Sequence, residues 1–398
     1  MHFIKQMAGL LSAAALAAAL PLIPAAAADG EYDGKSSDGN FGYTLLDDGS
    51  ISVSCINSQL EKAVVPSEID GHAVTALTDG CFAKSTHITE VTLPEGLTVI
   101  GDGAFNACEK LTQAKLPETV TTIGENAFYG CSGLTEITIP AAVTEIQSYA
   151  FDTTEGMTAF HVAQGNTAYS SQDGVLFDKN AVNLIKYPEA KSDAEYAVPD
   201  TCRSIADWAF IGAQYLEEID LGKVNTIGED AFYYCVKLRS VKIPEGVKEL
   251  VGAAFCYCIA LEEVKLPSTL ESIGENCFYS CTSLKKVVLP EGLKRIDSYA
   301  FFHCTSLASI NIPKSVETIS SFCIGYRYDE ATEGKAPQKD LTVSVVKRTP
   351  GYTYASSNDL TLKIVSGISL YHVLLGVAIA AIAVLAAAIV IILKKRRQ

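Results

Sequence analysis

The sequence predicts a β-rich solenoid of stacked 23-residue units with short helical turns, followed by one C-terminal transmembrane α-helix. Three observations carry this prediction. An Ala-Phe pair or a close variant returns at Phe82, Phe105, Phe128, Phe151, Phe210, Phe232, Phe255, Phe278, Phe301 and Phe322, mostly at intervals of 23 residues. A proline stands eleven residues ahead of that phenylalanine at Pro94, Pro117, Pro140, Pro199, Pro244, Pro267 and Pro290. Residues 373–393 form an apolar run of 21 residues, enough to cross a hydrocarbon core about 30 Å thick.

At the N-terminus, Lys5 precedes an apolar run through Leu10, Leu11, Leu16 and Leu20, a break at Pro21 and Pro24, and small residues including Ala26 and Ala28. This order is that of a secretory signal over residues 1–28, with the mature chain expected from Asp29. A capping segment is expected at 29–80 and the solenoid at 81–340, with a variant unit at about 152–198. The repeating unit reads L-x-x-[IV]-x-[IL]-P-x-x-[VL]-x-x-I-x-x-x-[AC]-F-x-x-C, as in Leu134, Ile137, Ile139, Pro140, Val143, Ile146, Ala150 and Phe151. Residues two apart share one face of a strand, so Ile137 and Ile139 point inward together. Proline has no N–H for the ladder and ends the strand. One unit cannot bury its apolar face alone, so stacked copies with sealed ends are required.

These residues resemble the BspA-like leucine-rich-repeat cell-surface proteins of bacteria. The resemblance includes "PSEIDGHAVTALTDGCF" ahead of the first unit, and "GNTAYSSQDGVLFDKNAVNLIKYPEAK" as a variant unit filling the 59-residue gap between Phe151 and Phe210. It also includes "GYTYASSNDLTLKIV" as a terminal unit. One residue is missing around Gly222 and two before Phe322. The resemblance implies a leucine-rich-repeat solenoid that binds or adheres to an extracellular protein or glycan. The remaining segments are expected to be a C-terminal cap and juxtamembrane stretch at 341–367, a transmembrane helix at 368–393 and a tail at 394–398. Tyr371 at the interface and Lys394, Lys395, Arg396 and Arg397 after the apolar run place the C-terminus in the cytoplasm and the N-terminal domain outside the cell membrane.

All 46 acidic residues lie between Asp29 and Gly367, whereas Lys5 and the four tail cations lie outside, so the ectodomain is more acidic than the chain's formal −15. This argues against nucleic acid as a partner. No Asn-x-Ser/Thr sequon is present, which favours a bacterial source. Cysteine follows the phenylalanine by three residues at Cys108, Cys131, Cys235, Cys258, Cys281 and Cys304. Adjacent rungs of a solenoid permit disulfides, but a column of buried thiols is the favoured reading. His72, His87, His161 and His303 fall in different units with no carboxylate or cysteine at a repeated offset, so neither an enzyme nor a metal or cofactor site is expected.

Surface is what remains. The outward strand positions give a candidate binding face with Glu218, Asp220, Lys242, Glu263, Lys265 and Lys286. Tyr233, Tyr234, Tyr257, Tyr279 and Phe302 give a candidate aromatic edge, suited to protein or sugar contacts if exposed and to packing between units if buried. The alternative to adhesion is a scaffolding role within the cell envelope.

Overall fold

The structure, a computed structural model, describes residues 32–329, 332 and 334–365. The chain winds into a β-solenoid of about 14 turns. A regular turn holds two short strands. The first, such as Glu218–Asp220, buries its central β-branched residue between two exposed polar ones. The second, such as Thr226–Ile227, sends one apolar residue into the core from the return side. Successive turns run in the same direction, so both ladders are parallel. On the first face Glu195, Glu218, Ser240, Glu263 and Lys286 stand in register. Glu249, Ser272, Arg295 and Thr318 do so on the return face.

The short helical turns expected from the sequence are not formed. At each phenylalanine corner the backbone is left-handed two residues before and two after the ring, as at Asp230 (φ 52°) and Tyr234 (φ 61°), or Asn276 (φ 56°) and Ser280 (φ 58°). An α-helix cannot contain such residues. They turn the amides outward to the neighbouring unit. Phe232 N–H donates to the Ala254 carbonyl at 2.8 Å, Phe255 to Cys277 at 2.8 Å, and Phe278 to Ala300 at 2.7 Å. The single helix among the described residues is Pro350–Ser357, capped by the Thr349 side chain. The expected transmembrane helix is corrected likewise: among the described residues no helix is long and apolar enough to cross a membrane. Residues 366–398, with Lys394, Lys395, Arg396 and Arg397, lie outside those residues, as does the signal segment 1–28.

The core is a ladder of rings. Phe82, Phe105, Phe128 and Phe151 stack with centroids 5.0–5.5 Å apart. Phe210, Phe232, Phe255, Phe278 and Phe301 do so at 4.7–5.5 Å. Phe41 seals the first turn edge-on against Phe82. Between the two stacks Tyr187 occupies the phenylalanine place, lying 4.8 Å from Phe210 and donating its amide to the Ala209 carbonyl. The apolar core divides there, with Phe151 and Phe160 in one cluster and Tyr187 and Phe210 in the other.

Two irregularities resolve differently. Around Gly222 a residue is absent: Glu218 pairs with Ser240, 22 positions on, and Gly222 makes the turn at φ 52° without proline. Before Phe322 nothing is absent. Phe301 N–H donates to the Cys323 carbonyl, so the fully buried Ile324 fills the next corner at the regular interval. Phe322, at φ 55°, is the counterpart of Tyr299 on the outside of the corner.

All twelve cysteines are free. Cys131, Cys235, Cys258 and Cys281 each turn the thiol onto the phenylalanine carbonyl of the preceding turn at 3.1–3.2 Å, giving a buried acceptor a second partner. Burial pushes Cys108 up to about 12 and the half-buried Cys55 up to about 11.

The corner assignment predicts that Ile324→Ala lowers stability by about 2–5 kcal/mol in urea unfolding, whereas Phe322→Ala costs clearly less. Ellman's reagent is expected to titrate at most one thiol, Cys55, in the native protein and all twelve after guanidinium denaturation without reductant; a total below twelve would reveal disulfides.

Candidate functional site

The strand register brings the six sequence-predicted face residues into one parallel sheet of five strands, Glu195–Ala197, Glu218–Asp220, Ser240–Lys242, Glu263–Lys265 and Lys286–Val287. The alternation of strand geometry puts Tyr196, Ile219, Val241, Val264 and Val287 inward and leaves the charged residues outside. Charge changes sign along the array. Glu195, Glu218 and Asp220 lead, and Lys242, Lys265 and Lys286 follow. Lys242 and Lys265 are direct cross-strand neighbours, a repulsive pairing of two exposed cations. Exposed ion pairs flank the face, Arg239 with Glu217 at 3.0 Å and Lys285 with Glu262 at 2.7 Å, and Lys286 pairs with Glu263 within it at 3.6 Å. Val288 adds a large apolar side chain, 67% exposed.

The aromatic edge is longer and better packed than the sequence indicated. Tyr233, Tyr257, Tyr279 and Phe302 contact one another at 5.2–5.7 Å. Tyr234 packs beside Tyr233. Phe302 is buried and the four tyrosines are half-buried, with burial raising the hydroxyls of Tyr233, Tyr257 and Tyr279 above the ordinary range. The edge is therefore first a packing device between turns. Trp208 extends it at one end, 5.9 Å from Tyr233, and Tyr149 lies 6.0 Å beyond. Tyr299 and Phe322 extend it at the other, where Lys335 of the hairpin Tyr326–Asp329 and Gly334–Pro337 lies over both rings. Tyr149, Trp208 and Tyr299 stand two residues before the core phenylalanine, a position whose residue type varies from turn to turn, so the repeat pattern carries no signal for them.

A third feature lies where the array is interrupted. Lys186 holds the place that alanine or cysteine takes before the ring in the other corners. Its buried ammonium donates to Asp152 Oδ1 at 2.6 Å and to the Trp208 carbonyl at 3.2 Å, with Glu189 Oε1 3.9 Å away. Burial raises the carboxyls of both acids despite the lysine, and Glu189 reaches about 8. Glu189 Oε1 also accepts the Thr154 amide at 3.1 Å. No motif signalled this cluster; a lysine in an Ala/Cys position was its only trace. Among the described residues no group of three or more histidine, cysteine or acidic side chains is arranged to hold a metal ion.

The BspA type leucine rich repeat region matches residues 54–174, 191–259 and 225–329, in six copies. The chain belongs to that family. The unmatched stretch 175–190 contains the short corner with Lys186 and Glu189. A leucine-rich repeat protein from Eubacterium ventriosum is similar in structure, with 25% identity and a TM-score of 0.57, over 71% of this chain and 92% of the other. The pneumococcal vaccine antigen PcpA shares the fold at 18% identity and a TM-score of 0.57, over 85% of this chain and 99% of the other. Among curated proteins none matches the chain. Chains built of such repeats are typically binding or scaffold proteins rather than enzymes.

The buried cluster has a pH signature. Folded Glu189 keeps a proton that the unfolded chain releases near pH 4.3, so its contribution makes stability fall as pH rises from about 4.5 to about 8 and level off above that. Glu189→Gln retains an acceptor for the Thr154 amide and removes this slope. The difference in melting temperature, variant minus parent, is expected to grow between pH 5 and pH 8 in scanning calorimetry; a constant difference would contradict the buried, protonated carboxyl.

Proposed function

We propose that this chain is an exported, non-enzymatic binding protein whose solenoid adheres through its first strand face to an extracellular protein or glycan. The observation that carries the reading is the open parallel sheet with Glu218, Asp220, Lys242, Glu263, Lys265 and Lys286 displayed at regular strand spacing. The two adjacent lysines favour an acidic contact surface on the partner. Such an extended face suits a partner that touches several turns at once. Export rests on the signal-type N-terminus. Membership in the BspA type repeat family supports the binding class.

The purified protein, applied to arrays of extracellular matrix proteins and glycans, is expected to retain a defined subset of them. Lys242→Glu with Lys265→Glu should weaken capture at least about tenfold, the loss of two favourable charge contacts, while shifting the melting temperature little because both side chains are exposed. Capture unaffected by this reversal would move the binding surface elsewhere. Absence of any capture, together with an envelope defect on deletion, would favour a scaffold.

A further inference from the structure

The interrupted corner leaves a notch in the aromatic edge, and we propose that this notch binds an organic cation of the alkylammonium class. The proposal rests on the binding reading above and names a second contact within it.

The notch follows from chain length. In the regular unit the core ring stands five positions after the inward isoleucine of the return strand, as from Ile205 to Phe210; from Leu184 to Tyr187 it stands three positions on. The outer bulge of that corner is missing. What remains is a cleft of about 240 Å³ between the corners of the adjoining turns, with Ile185 and Lys186 contributed by the short corner itself. This volume suits one side chain or one small ligand.

Its walls are aromatic. Tyr149 and Trp208 pack edge to face at 6.0 Å and together form one aromatic side of it. Both occupy left-handed backbone, φ 59° each, at a position filled in other turns by Gly103, Asn126, Asp230, Ala253 and Asn276, and by rings at Tyr299 and Phe322. A large ring there has no conformational advantage, since glycine, asparagine and aspartate adopt that region most readily. On the two turns that border the notch this position carries a ring in each case, so both rings belong to its lining.

Its charge is negative. Asp207 lies on the wall, and Asp207, Glu125 and Glu229 act electrostatically on the Tyr149 hydroxyl together with Asp152. No lysine or arginine other than Lys186 lines the cleft, and the Lys186 ammonium is turned onto Asp152 in the floor. The ammonium is held there by the Asp152 carboxyl at 2.6 Å and the Trp208 carbonyl at 3.2 Å, below the aromatic walls. Aromatic faces with nearby carboxylates attract cations and repel anionic ligands.

Trp208 is the only tryptophan of the chain, so its fluorescence reports occupancy of the notch directly. The full-length protein is titrated with tetramethylammonium and with Nα-acetyl-lysinamide, against tert-butanol as the neutral isostere and methyl glucoside as a sugar. A saturable change with either cation and none with the neutral probes supports the proposal; which cation binds tells a methylated amine from a protein side chain. Asp207→Asn keeps Oδ1 as acceptor for the Glu229 amide and is expected to weaken the cation about three- to tenfold. An equal response to tert-butanol or the glucoside, or no response to any probe from protein with an unchanged melting temperature, overturns it. Array capture that persists in that case, and remains sensitive to Lys242 and Lys265, leaves the strand-face reading standing.

Discussion

In the regular turns the corner amide is satisfied by the carbonyl of the following turn, as Phe232 is by Ala254 and Phe255 by Cys277, and this one hydrogen bond fixes the pitch of the molecule. It holds only if the left-handed residues on either side of the ring turn the peptide planes across the unit. Once the pitch is set, the rings fall about 5 Å apart and stack. The thiol three residues on then meets the carbonyl of the turn before, and the two strand ladders pair in register. A buried amide without its carbonyl would cost as much as a lost hydrogen bond, which is why the period tolerates so little change.

The interruption shows what happens when the period does change. A hairpin, Tyr169–Gln172 with Val175–Asp178, is inserted, and the next corner is shortened by two residues. Tyr187 restores the ring ladder, but the apolar core separates into two clusters, and Lys186, Asp152 and Glu189 occupy the seam. Replacing a buried ion pair by apolar residues is often neutral or stabilising, so stability alone gives little reason to keep charges there.

The two outer surfaces of this fold follow from the same geometry. The strand face is flat, polar and repetitive because side chains alternate along each short strand; the corner edge is aromatic and partly buried because bulky residues there must pack against those of the next turn. The first displays charge without enclosing anything. The second is concave at the short corner, around Tyr149 and Trp208, and beside the hairpin, around Tyr279, Tyr299 and Phe302.

Much of this was legible in the sequence. Period, inward positions, the strand-ending prolines and the outward residues Glu218 to Lys286 follow from local rules, because two-residue alternation and a 23-residue recurrence are properties of the chain itself. The sequence also determined that no single unit could stand alone. Tertiary structure decided the rest. Whether the corner was helical depended on amides seeking carbonyls 22 residues away, which no window of neighbouring residues contains. That Phe322 is outside and Ile324 inside, and that Tyr187 stands for a phenylalanine, depended on which turn each stacks against. The burial of Lys186 and the meeting of Tyr149 with Trp208, 59 residues apart, exist only because a shortened corner brings two non-consecutive turns together.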